Sequence, residues 1–380
     1  MTSQAPATPV RGAAPTAPSP WLFSARFDLC AFTLPSLAAL GLGALAGRLA
    51  GPGGATPTWA WVALVLCIDV AHVHGTTIRV YLDPLERRRR PALYAAVPAL
   101  GLALSIAVYS LSPLLFWRLL AYLAVAHFVR QQVGWLRLYR RRANEHGAFD
   151  RRLDEATVYA ATLHPLIAWH ARLPDRLHWF VPGDFLAGLP AWCARISGAL
   201  WAALLLAFAL RQLQRAARGE PVATGKVLLV ATTAATWWLG IVVWQSDFAF
   251  TATNVLAHGV PYLAVSYRVG LPARRLLAGS PRTAVSALFA PGRLPLYVAA
   301  LCALAYAEEW LWDRAVWDDH PALFAGPQLA VASLEALVVP LLALPQLTHY
   351  ILDAYLWRMD GSNPGLREAL GLGASGSGSG

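Results

Sequence analysis

Ten histidines are spread along the 380 residues, and most fall inside long apolar runs. His72, His74, His127, His164, His258 and His349 lie deep in such runs, His170 lies near the end of one, and His146, His178 and His320 lie between or beside them. An ionisable side chain inside hydrocarbon is costly and marks a functional site. Counting from the charged residues that end these runs gives a shared depth. His127 precedes Arg137 by ten positions, His258 precedes Arg268 by ten, and His349 precedes Arg358 by nine. His164 follows Asp154 by ten, and His72 precedes Arg79 by seven and Asp83 by eleven. Ten helical positions cover about 15 Å. Five imidazoles from five helices are therefore expected in one layer near the middle of a bilayer.

A single buried histidine is accounted for by one interhelical hydrogen bond. Five at one depth, each with polar company, read as metal ligands. Imidazole suits Fe, Zn, Cu and Ni, and the absence of thiolate pairs argues against Fe–S chemistry. The polar companions sit three or four residues along the same helix: Asp69 beside His72, Gln131 beside His127, Asn254 beside His258, and Gln346 and Asp353 beside His349. A ligating imidazole needs its second nitrogen held, so Asp69, Gln131 and Asn254 are expected around the ligands. Asp353 is a candidate for the same role or for ligation. Asp69, Arg130 and Asp353 are the groups at this depth suited to a catalytic role. His74 is two residues from His72, about 200° around a straight helix; local unwinding at Gly75 would bring both to one site, and otherwise one faces elsewhere.

These residues need helices that cross a membrane, and the composition supplies them. The chain is 57% hydrophobic and only 14% charged, with mean hydropathy +0.46. Soluble domains run nearer about 25% charged. An all-α transmembrane bundle of about ten spans is expected, at roughly 28–50, 57–82, 92–111, 113–138, 154–173, 190–213, 224–244, 246–268, 293–311 and 328–357. Each is long enough for about 30 Å of hydrocarbon. Very short turns at Ser110–Pro113 and Trp244–Asp247 predict tight hairpins.

The net charge of +10 concentrates in alternate loops: Arg87–Arg90, Arg140–Arg142 with Arg151 and Arg152, Arg211–Arg218 with Lys226, and Arg274–Arg293. The intervening loops are poor in Arg, and one holds Glu308, Glu309, Asp313, Asp318 and Asp319. The positive-inside rule then places both termini in the cytoplasm, and the basic balance needs no nucleic acid. Residues 1–22 are expected to be a disordered cytoplasmic tail, 23–358 one transmembrane domain, and 359–380 a tail with a linker-like GASGSGSG end. Cys30, Cys67, Cys193 and Cys302 form no metal or disulfide spacing. Heavy use of Arg over Lys and of Ala points to a bacterium with a G+C-rich genome, and so to the inner (plasma) membrane.

Histidines clustered in apolar helices resemble, in general outline, the integral-membrane non-haem di-iron oxidoreductases such as fatty-acid desaturases and hydroxylases. Their paired HxxxH and HxxHH boxes are absent; His72–Val73–His74 is the nearest pair, and HFVRQQ has Gln where a second His would stand. Membrane carotenoid-cleaving dioxygenases are similar in keeping their iron-ligating histidines within the bilayer. Neither likeness assigns residues one by one. The resemblance implies iron, two ions for so many histidines, and oxygen-dependent oxidation of a lipid or other hydrophobic substrate. An electron-donor protein would then dock on the basic cytoplasmic face, unless the reaction is a dioxygenation. A zinc hydrolase similar to ceramidases is one alternative. A proton-coupled transporter using His, Asp and Arg130 is another. A bis-His haem protein would place its pairs at two depths. No P-loop, Rossmann fingerprint, GxSxG or kinase motif is present.

Overall fold

A computed structural model describes residues 18–173, 179–275, 284–363 and 365–373. Residues 1–17 of the expected N-terminal tail, Arg176, His178, Arg282 and the linker-like residues 374–380 lie outside it. Every regular element among the described residues is helical. Among the described residues, nine helices are long and apolar enough to cross a membrane: α1 (Ala25–Ala44), α2 (Thr58–Tyr81), α3 (Pro91–Leu111), α4 (Pro113–Arg142), α6 (Ala191–Ala217), α7 (Thr224–Val243), α8 (Asp247–Gly270), α9 (Leu294–Trp317) and α10 (Ala332–Leu356). A further helix, α5 (Ala148–His170), is of similar length. Asp150, Arg151, Arg152, Asp154 and Glu155 crowd its first turns, which makes that part too polar for lipid contact.

The helix starts follow local chemistry. Ser112 caps α4 through Leu115 N–H, with Pro113 in the first turn. Asp247 opens α8 and is tied to the chain before α2, because Thr56 donates both its N–H and its hydroxyl to Oδ2. Pro340 lies inside α10 and Pro345 just past Ala343, where that helix breaks into Glu335–Leu342 and Leu344–Leu356. The Ala71–Thr76 segment of α2 is α-helical between two π-helical stretches, Trp61–Val70 and Thr77–Tyr81.

The helices share two ends. At one end Gly225 N–H donates to Pro20 C=O, Arg90 to Ser362 C=O, Arg141 to Met359 Sδ, and Arg211 to Asp150. The basic clusters therefore meet there, together with both described termini. At the other end Thr56 meets Asp247, Trp61 meets His320, Trp117 meets Trp317, and Arg172 bonds Val242 C=O. α8 is the most enclosed helix, while α3 and α6 lie at the periphery. Leu200, Leu206, Leu210 and Leu213 on α6 face outward, as a lipid-facing stripe would.

Close approach depends on particular glycines. A Cβ at Gly259 would lie 2.6 Å from Ile68 Cγ2, so α2 and α8 pack backbone-close at the level of His72 and His258. Gly75 faces Tyr262 in the same way, at 3.1 Å.

Candidate metal centre

His72 of α2, His127 of α4, His258 of α8 and His349 of α10 converge in the core, all buried. Each offers one ring nitrogen, and the four nitrogens lie within 4.8 Å of one another. Their rings form a closed cycle. Centroids are 4.7 Å apart for His72–His258, 5.1 Å for His258–His127, 4.6 Å for His127–His349 and 4.9 Å for His349–His72.

The nitrogens that face inward lack ordinary partners. His258 Nε2 stands 3.0 Å from His72 Nε2. His127 Nε2 and His349 Nε2 are buried without any hydrogen bond from the protein. Unpaired buried polar atoms cost free energy. Four ring nitrogens this close together suit a cation. A metal about 2.1 Å from each nitrogen keeps every pair within about 4.2 Å, so sub-ångström contraction closes the set.

The surroundings hold the rings. Phe128 stacks on His258 at 3.6 Å and 10°, and Tyr350 leans on His127 at 5.0 Å. His349 Nδ1 lies 2.8 Å from Thr76 Oγ1. With Nε2 turned to the centre, Nδ1 carries the proton and donates to Thr76, whose hydroxyl donates in turn to Asp353 Oδ1 at 3.3 Å. Tyr262 O–H donates to the same carboxylate oxygen at 3.0 Å. This is the carboxylate-backed imidazole that orients metal ligands. On the far side, Asp69 Oδ1 lies 3.7 Å from His72 Nδ1.

Two expected ligands stand apart. His164 shares the depth but not the direction: α5 packs on α6, where His164 Nδ1 meets Ser197 Oγ at 3.0 Å and the ring fits over Gly198. His74 points away from His72, as 200° of rotation requires, and Nε2 lies 3.1 Å from Glu308 Oε2 as a charge contact outside hydrogen-bond geometry. Gly75 does not unwind α2 to bring it in. Among the other expected residues, Arg130 is exposed on α4 rather than at the centre. Asn254 donates to Phe250 C=O and leaves Oδ1 unpaired, and both polar atoms of Gln131 are buried without partners.

Thr76, Tyr262 and Glu308 escaped the sequence reading. Thr76 is four residues after His72 and Tyr262 four after His258, so the spacing that singled out Asp353 would have found them had hydroxyls been counted. Glu308 was read as part of an acidic loop, whereas it lies buried inside α9.

Two cavities approach the centre from opposite ends. One, of about 540 Å³, runs between α4 and α10 from His127, Tyr350 and Asp353 toward the basic end. The other, of about 270 Å³, reaches Asp69 and Asn254 from the end carrying Asp313, Asp319 and His320.

No protein-family model, curated protein or solved structure matches this chain.

Proposed function

We propose that this chain is an integral-membrane metalloenzyme that uses iron held by His72, His127, His258 and His349 for oxygen-dependent oxidation of a hydrophobic substrate, by hydroxylation, desaturation or cleavage. The observation that carries the reading is the convergence of four buried imidazoles, two of which, His127 and His349, leave Nε2 without a hydrogen bond from the protein. One ion, rather than the two expected from sequence, suits a set that lacks His74 and His164. Iron bound to neutral imidazoles supplies O₂ activation. The chain's own part is to exclude water with Phe128 and Tyr350, to hold the His349 tautomer through Thr76 and Asp353, and to admit substrate along the larger cavity.

Ten spans, counting α5 with its charges at the basic end, and both termini in the cytoplasm of a bacterial inner membrane complete the proposal. The basic end is then the docking face for an electron donor, if the reaction needs one.

A zinc hydrolase is the second reading. Asp69 favours it: the carboxylate borders the polar cavity, 3.7 Å from a ligand imidazole, where it can orient a water. Elemental analysis and a visible spectrum of the purified protein separate the two. We expect about one iron per chain. His127→Ala and His349→Ala should each remove most of it while the protein still folds, and His164→Ala should retain it. Unchanged metal in the first two variants would overturn the site, and zinc in place of iron would select the hydrolase.

A further inference from the structure

The larger cavity has a polarity gradient that selects a class of ligand. Its inner end touches the centre through His127 and its walls are apolar, with Leu123, Val133 and Ile351 among them. Its outer part is lined by Arg137, Arg141 and Arg358, while Arg130 and the carboxylate of Asp353 line it further in. Arg137 is neutralised by a two-pronged pair with Glu155 at 2.9 Å. Arg141 contacts only the Met359 sulfur among its hydrogen-bond partners, and Arg358 bonds Ala354 C=O and lies over the Tyr355 ring. The Arg141 and Arg358 guanidinium groups thus keep donors free for an anion. Between the two regions both polar atoms of Gln131 are buried and unpartnered, which marks the passage as one that a polar group enters.

We infer that this cavity binds a single-chain amphiphile with an anionic headgroup, the headgroup held by Arg141 and Arg358 and the chain running inward to the histidine cluster. The inference rests on that cluster being the reacting centre for its meaning as a substrate site, but not for the binding itself. Fourteen residues separate His127 from Arg141, or about 21 Å of helix, so the carbon presented to the centre lies well along the chain and not beside the headgroup. A volume of about 540 Å³ is of the size that holds one small ligand, and a two-chain lipid would leave one chain outside.

The test measures equilibrium binding of labelled oleate, oleyl alcohol and dioleoyl phosphatidylglycerol to the full chain in uncharged detergent. Oleate should bind about tenfold more tightly than the alcohol, and Arg141→Gln or Arg358→Gln should each weaken oleate about tenfold while leaving the alcohol unchanged. Ala126→Trp, which fills the apolar passage, should weaken both. Melting curves on the same samples report that each variant is folded, and their metal content is measured alongside. Equal binding of oleate and alcohol with silent Arg variants would overturn the inference, as would tight binding of phosphatidylglycerol without oleate. Selective oleate binding by a protein that holds no metal would instead overturn the oxidative reading and leave this one standing.

Discussion

At the scale of residues, the centre depends on the groups behind the ligands as much as on the ligands. Thr76 Oγ1 lies 2.8 Å from His349 Nδ1. Thr76→Val keeps the volume and removes both the acceptor and the link to Asp353. It should lower metal affinity by about 10–100-fold, measured by competition with a chelator, and Thr76→Ser should restore it. An unchanged affinity in Thr76→Val would mean that His349 is oriented by packing alone. Asp353 is approached by three hydrogen-bonding or charged groups, Thr76, Tyr262 and His349. Its role is thus better described as orienting a ring than as meeting substrate, although it also borders the larger cavity.

At the scale of elements, depth and direction separate. A helix rises by a constant step, so the distance of each histidine from a charged end could be counted, and four of the five layer members do meet. Direction around the helix could not be counted in the same way. The π-helical stretches on either side of Ala71–Thr76 and the break in α10 at Ala343 shift the phase by amounts that no spacing rule supplies. His164 shows the limit: right depth, wrong face, because α5 turns that face to α6. The α2–α8 contact is a matter of volume. Gly259→Ala should force Ile68 aside and part His72 from His258, lowering both the melting temperature and the bound metal. Pairing it with Ile68→Ala should recover part of the loss, and the difference between single and double variants measures the contact. If Gly259→Ala melts and binds metal like the parent, the close approach does not set the site.

At the scale of the whole molecule, the two ends differ in how they are fastened. The sequence suggested Lys226 as one more exposed positive charge in a basic loop. It is instead fully buried, with Nζ 2.6 Å from Glu145 Oε2 and 3.0 Å from Asp154 Oδ2. Arg140 pairs with Asp154, and Arg215 reaches Glu145 at 3.0 Å, so α4, α5, α6 and α7 are joined by one charge network. Removing Lys226 takes one buried donor from each of Glu145 and Asp154, while Arg140 and Arg215 still face them. Lys226→Met should therefore cost about 1–3 kcal/mol, seen as a lower melting temperature in detergent with metal content intact below the transition. A melting temperature equal to the parent's would show the network to be neutral. The partition of basic and acidic loops between opposite ends was legible from composition, since the rule needs only the order of apolar runs and Arg clusters. The burial of Lys226 was not, because it depends on which helices are neighbours.

The four histidines stand on α2, α4, α8 and α10, and His349 is the last of them in chain order. A ribosome makes the other three imidazoles before the fourth exists. On the proposed reading, capture of the ion waits for α10 to be inserted. A nascent chain stalled before α10 offers three imidazoles at most, and every truncation on that side should yield an inserted but metal-free protein.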